Sequence, residues 1–341
     1  MSGRSHLEGG DTERPRAWLS RLRRPLAAVL GVGCVVYLGR LLWLRREAVV
    51  QALDLDAGTL ALLLLLVFAS HLQRAFEFDY MLKRLGVREP FREGFLVTGA
   101  AQLLNYLPFS AGSVARAITL RRKHSLPYSF YLSALLVATI VHAAVAALAG
   151  LVSTLALSEG ARVLPLVLLF AATVLGGGLV VCFPRAWAPG GRSRVEHRIR
   201  DIVEAAALIR HHGAGLAVLA TTAFGKMLLN CLRMGVCFRA LGVELSAFEL
   251  VLLGSTAVLT SLVNLAPGNI GLRELLLGGL WGIIGGSPAV GMAAATLDRA
   301  VLLVYTVIAG VPGIVHVRRA LAATSEPGRS EPAKAASDVS S

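Results

Sequence analysis

Charge is scarce in this chain. Only 16% of its 341 residues are Asp, Glu, Lys or Arg, 55% are hydrophobic, and the mean hydropathy is +0.66. A soluble domain of this size needs a polar shell that this composition does not supply, whereas successive bilayer spans of ~20 apolar residues account for it. Aromatics are also few, at 6%, so the apolar mass is mostly Leu, Val and Ala. Leu and Val suit helix faces turned to lipid, while Ala and the 35 glycines let helices approach closely. Cysteine occurs four times, as Cys34, Cys182, Cys231 and Cys237, each inside an apolar run and none in a CxxC pair. That spacing argues against a disulfide framework and a metal site, and the thiols read as buried and inert. Catalytic signatures are missing too. There is no GxSxG and no HExxH, and Gly225-Lys226 lacks the upstream glycines and the following Ser/Thr of a P-loop. Neither enzymatic chemistry nor a cofactor is expected.

The charge that is present is basic, with a formal net of +13. No zinc-finger or RNP pattern accompanies it, and the basic residues flank apolar stretches, so cytoplasmic anchoring against anionic lipid explains the excess better than nucleic acid does. Residues 1–25 read as a disordered cytoplasmic tail ending in Arg21, Arg23 and Arg24. The run 25–44 reads as a first span and not as a cleaved signal, because no small-residue cleavage site follows it. Further spans are expected at 58–78, 126–158, 164–183, 214–238 and 289–315. The basic loop 184–213 contains an amphipathic stretch at 195–209, and 320–341 reads as a second disordered tail.

Two apolar stretches are broken. The segment 94–121 contains Pro108 and Gly112 and lies between the basic clusters Lys83, Arg84, Arg88, Arg92 and Arg116, Arg121, Arg122, Lys123. A full crossing would put one cluster outside, so a re-entrant hairpin with its tip at 105–112 fits the charge rule. The second stretch, 248–285, contains Asn264, Pro267 and Gly271. The expected architecture is therefore an all-α polytopic membrane protein of about six spans plus two re-entrant segments, with both termini inside. Its membrane domain covers 26–319.

The tips resemble each other. Asn105-x-x-Pro108-x-x-x-Gly112 and Asn264-x-x-Pro267-x-x-x-Gly271 share one pattern at an offset of 159, as do Arg74 and Arg233. Leu85-Gly86-Val87 and Leu241-Gly242-Val243 nearly follow. Halves at 58–157 and 214–316 then read as an inverted duplication, the architecture of transporters with substrate held at the repeat interface. Proline and glycine break the helices at the tips, and the half-helix after Gly271 is expected to aim its positive end at an anion.

Charges at bilayer depth are costly and need a reason. Arg74, Arg116, Arg233, Arg273 and Arg299 are candidates to grip a phosphate by forked hydrogen bonds, and Glu274 and Asp298 are candidates to pair with them in an empty site. The structural alternatives are that Arg74 snorkels from a helix end, Asp298 pairs locally with Arg299, Lys226 snorkels to the cytoplasm, and His142 is a lone hydrogen-bonded histidine.

The two tip motifs, the first ending at Arg116 and the second running on to Arg273-Glu274, resemble the hallmark segments of the flippase-like family. This is also called the lysylphosphatidylglycerol synthase transmembrane-region family, and the resemblance covers residues 25–320. It implies a bacterial or archaeal cytoplasmic-membrane protein. In the aminoacyl-lipid enzymes such a membrane region moves lysyl-lipid between leaflets, while a separate soluble domain makes it. Other members occur with glycosyltransferases, which implies polyprenyl-linked or glycolipid cargo. One departure stands out: where members carry an acidic-basic pair followed by Asp, this chain has Leu136-Val-Ala-Thr-Ile-Val-His142, with His142 in place of the Asp. The leading expectation is a translocase for an anionic phospholipid, an aminoacyl-lipid or a polyprenyl-linked sugar. The alternatives are a non-catalytic partner of a glycosyltransferase, docking through loop 184–213, and a membrane-embedded headgroup transferase.

Overall fold

The computed structural model describes residues 55–107, 111–157, 164–182, 213–262 and 271–323, and these form nine helices with no strand among them. They are α1 Ala57–Arg84, α2 Phe91–Leu104, α3 Ala111–His124, α4 Tyr128–Leu157, α5 Leu164–Cys182, α6 Gly213–Ala240, α7 Ala247–Leu262, α8 Leu272–Ile283 and α9 Pro288–Ala323. Four of them, α1, α4, α6 and α9, are long and apolar enough to cross a membrane. The 25–44 span, the 195–209 stretch, Pro108, Asn264 and Pro267 lie outside the described residues.

The long helices overrun their apolar segments. α1 starts at Asp56, whose carboxylate accepts the Thr59 N–H at 2.9 Å. It continues beyond Phe78, the sequence-based end, because Lys83 pairs one turn back with Asp79 at 2.7 Å and carries the helix to Leu85. α9 continues through Arg318 and Arg319 to Ala323, so the tail expected from 320 begins in helix; three of residues 320–323 are alanines, the best helix formers.

Polarity is reversed relative to a soluble protein. Leu65 on α1 and Leu175 on α5 are 61% and 67% exposed, while Arg233 is 1% exposed. Many hydroxyls bond within their own helix. Ser70, Thr119, Thr139, Thr154, Ser255 and Thr306 each donate to the carbonyl four residues back, so no polar group faces hydrocarbon unpaired at those points.

Helices α2 and α3 have 14 residues each, about 21 Å at 1.5 Å per residue, which is short of the ~30 Å hydrocarbon core. They double back: Lys123 and His124 at the end of α3 meet Glu89 and Glu93 at the start of α2. The pair thus starts and finishes at one end of the bundle. Helices α7 and α8, of 16 and 12 residues, are likewise short, and Trp281 near the end of α8 returns to Phe238 at the end of α6, with ring centroids 5.1 Å apart.

The order long, short, short, long therefore occurs twice. The turns after the first long helix of each set are closed alike. Gly86 and Gly242 take φ +80° and +76°, and Val87 and Val243 donate to the carbonyls of Leu82 and Phe238 at 2.9 and 3.0 Å. This is a Schellman closure, which needs a residue in the left-handed region. Packing crosses between the sets, because α2 lies along α9 and α7 lies along α4.

The α2–α9 contact is backbone against backbone. A Cβ on Gly313 would lie 2.2 Å from the Leu96 carbonyl oxygen and 2.7 Å from the Ala100 nitrogen, and one on Gly99 would lie 2.7 Å from the Ala309 oxygen. Main-chain atoms cannot step aside as a flexible side chain can. Gly313→Leu is therefore expected to destabilise the fold by at least the ~1–3 kcal/mol typical of overpacking. The midpoint of thermal unfolding in detergent checks this.

At the bundle end, Glu89 accepts from Lys123 Nζ at 2.8 Å and lies 2.6 Å from His124 Nε2. Partial burial pushes its carboxyl pKa up, but the hydrogen bonds from His124 and Lys123 outweigh this and hold it below the ordinary 4.5. A carboxyl lowered in the folded state contributes stability above the unfolded pKa, and that contribution disappears as pH falls through the folded value. Wild type should thus lose stability below pH 4.5 more steeply than Glu89→Gln, as read from unfolding midpoints across pH 3–7.

Candidate functional site

Two groups of charged side chains occupy the interior, one between the first set of helices and one between the second. The first lines a cavity of about 230 Å³. α1 contributes Arg74 and Glu77, α2 Gln102 and Asn105, α3 Ser113 and Arg116, α4 Thr139 and His142, and α6 Lys226. His142 is 5% exposed, and its Nε2 lies 3.3 Å from Glu77 Oε2. The guanidinium of Arg116 sits over the Phe78 ring, 4.2 Å from its centroid, a cation–π contact that holds the charge without neutralising it. Three cations therefore face one carboxylate around this space.

The second group is closely paired. Asp298 on α9, 1% exposed, accepts a fork from Arg233 on α6: Nε to Oδ1 at 2.7 Å and Nη2 to Oδ2 at 2.6 Å. Arg273 on α8 brings its Nη2 to 2.7 Å from the same Oδ2. Arg299 places Nε 3.1 Å from Glu274 Oε1. The other oxygen of Glu274 accepts the Gly271 N–H at 2.8 Å, at a residue with φ +85° that a glycine adopts without strain.

Tyr106, 8% exposed, joins the two groups, lying within electrostatic reach of Arg299, Arg273 and Arg74. Arg74 in turn lies within reach of Arg233.

Several local expectations change. Asp298 does not pair with its neighbour Arg299. Consecutive helical residues point about 100° apart, so each faces a different partner helix. Arg74 and Lys226 both line the cavity. His142 is not alone, since Glu77 on another helix stands against it. The amide at the head of α8, expected to face an anion, is taken by Glu274 of the same helix. Asn105 ends α2, and its side-chain oxygen packs against Gly112, where a Cβ would also lie 1.9 Å from the Ala101 carbonyl. Glu77 was not among the candidates, and its sequence signal was an acid three residues after Arg74 at the end of an apolar run.

Helices α5, α7 and α8, with Ala143 of α4, line an open cavity of about 540 Å³ that is almost wholly apolar, including Leu166, Phe170, Leu259 and Leu276. Leu262 borders both cavities. A polar cavity thus adjoins an apolar one.

Comparison with known proteins agrees with this layout. A curated protein of Methanothermobacter thermautotrophicus described as a UPF0104 membrane protein is 33% identical over 92 residues, which covers 27% of this chain and 26% of that relative. The aligned part is thus about a quarter of the relative's length. No solved structure matches. The family model described as "Lysylphosphatidylglycerol synthase TM region" matches residues 26–310. With all-helical architecture, long apolar helices and that match over most of its length, the chain is a multi-pass membrane protein belonging to the lysylphosphatidylglycerol synthase transmembrane-region family.

Proposed function

We propose that this protein is a lipid translocase of the cytoplasmic membrane, carrying an anionic headgroup through the polar chamber while the lipid's tail stays in apolar surroundings. The observation that carries this reading is the excess of Arg74, Arg116 and Lys226 over Glu77 around one cavity at membrane depth. Buried cations are costly unless something compensates them, and a phosphate diester supplies that compensation. Anionic phospholipids, aminoacyl-lipids and polyprenyl-linked sugars all contain this group.

The two sets of helices, long, short, short and long, are read as copies in inverted topology, with the short pairs entering from opposite faces. Basic residues gather where α2 begins and α3 ends, which favours a cytoplasmic location for that end and for both termini. Rocking one set against the other would open the chamber to each leaflet in turn.

Reconstitution tests the reading. Purified protein is placed in vesicles with fluorescent phosphatidylglycerol, lysylated phosphatidylglycerol or a polyprenyl phosphate in one leaflet, and exposure to an impermeant quencher is followed. Accelerated exposure of one class supports translocation and names the cargo. No acceleration with folded protein would overturn it.

A further inference from the structure

Each interior cluster sets a carboxylate against a basic side chain on another helix. Glu77 on α1 faces His142 on α4, and Arg233 on α6 faces Asp298 on α9. The members of each pair are 65 residues apart, and the pairs themselves are 156 apart, the same interval as between Gly86 and Gly242. Their signs are reversed, with the acid on the first helix of one set and on the last helix of the other. Their chemistry differs as well. Arginine keeps its proton in proteins, so the Arg233–Asp298 pair has a fixed charge. Histidine changes charge between about pH 5 and 8.

We infer that His142 takes up a proton when an anion enters the cavity, so that movement of the headgroup is coupled to movement of a proton. This rests on the reading of the cavity as an anion site. His142 is buried, and its Nε2 has no aligned hydrogen bond although Glu77 Oε2 is 3.3 Å away. The neutral ring can hold its one hydrogen on Nε2, facing the carboxylate, and a second proton on Nδ1 turns that contact into an ion pair. The groups that face His142 from the packed helices are Glu77 and Arg74 on α1, Arg116 on α3 and Lys226 on α6, and α5 and α7 bring no charged side chain to the cavity among the described residues. With the cavity empty, three cations oppose a fourth and only Glu77 favours it. A bound phosphodiester adds a negative charge and tips the balance. The proton comes from water on the side where the anion enters, bonds to the ring nitrogen that lacks a hydrogen, and returns to water as the anion leaves.

The test uses the full-length protein in detergent and dimethyl phosphate, a phosphodiester that stays singly charged across this range. Its binding heat is measured by calorimetry at pH 7 in two buffers of different ionisation enthalpy. The expected result is a buffer-dependent heat that corresponds to proton uptake in the wild type, and no buffer dependence in the heat of whatever binding His142→Gln retains. In vesicles, wild-type lipid movement should quicken several-fold from about pH 8 to pH 6, and the His142→Gln profile should be flat. Binding without proton uptake in wild type overturns the inference whether or not the variant folds. Lipid movement with no pH dependence overturns it and leaves the translocase reading standing. Neither binding nor movement overturns both.

Discussion

Asp298→Ala is expected to cost the protein its folded state. The carboxylate is the shared counter-ion of Arg233 and Arg273, with contacts of 2.6 to 2.7 Å and 1% exposure. Removing one partner of a buried ion pair costs ~3–5 kcal/mol because the other charge is left in low dielectric, and here two guanidinium groups are left. Most small domains have only ~5–15 kcal/mol in hand, so Asp298→Ala should yield little monodisperse protein on size exclusion and a much lower unfolding midpoint. The triple variant Asp298→Ala, Arg233→Leu, Arg273→Leu should recover much of that stability, since an apolar replacement of a buried ionic group is often neutral or better. A single Asp298→Ala variant as stable as wild type would show that the arginines have another route to compensation.

Arg74→Glu should have the largest effect on lipid movement. It turns a chamber with three cations and one carboxylate into one with two of each, so an anion of the proposed cargo would lose a partner and gain a repulsion. A hydrogen bond to a charged group is worth ~1.5–3 kcal/mol, so loss of the partner alone predicts roughly a tenfold to hundredfold slower exposure of the labelled lipid. Arg74 makes no ion pair within the protein among the described residues, so folding should survive better than in Asp298→Ala. That contrast is the diagnostic: a stable protein with slow transport supports an anion grip at Arg74, and unchanged transport removes it from the site.

The sequence disclosed the membrane architecture because long apolar runs and their basic borders are local signals. The α2–α3 hairpin was legible for the same reason, since the charge rule forbids a single crossing there, and the ends of the pair meet at Glu89, Glu93 and Lys123. What escaped was register. Aligning the tip motifs at 159 sets Arg74 beside Arg233, but the first two helices of each set begin 156 apart, at Ala57 and Gly213 and at Phe91 and Ala247, and α7 has 16 residues where α2 has 14. One turn of helix separates the two alignments, and that turn replaces Arg74 with Glu77. His142 looked solitary for a similar reason. Its partner is 65 residues away on a helix whose facing direction no local pattern reveals. Arg233, Asp298, Arg273, Glu274 and Arg299 were all identifiable as interior charges, but which carboxylate serves which guanidinium depends on how α6, α8 and α9 cross.

The reach of the short helices also has an electrical meaning. A membrane voltage falls across the stretch of low dielectric between conducting boundaries. At about 21 Å, α2 and α3 are each shorter than a ~30 Å hydrocarbon core, and Asn105 and Ser113 beside their tip line the polar cavity. Water in that cavity would thin the insulating layer there and steepen the field around Arg74, Arg116 and Lys226. A charge moved through that layer experiences nearly the whole ~2.3 kcal/mol per 100 mV over a short path.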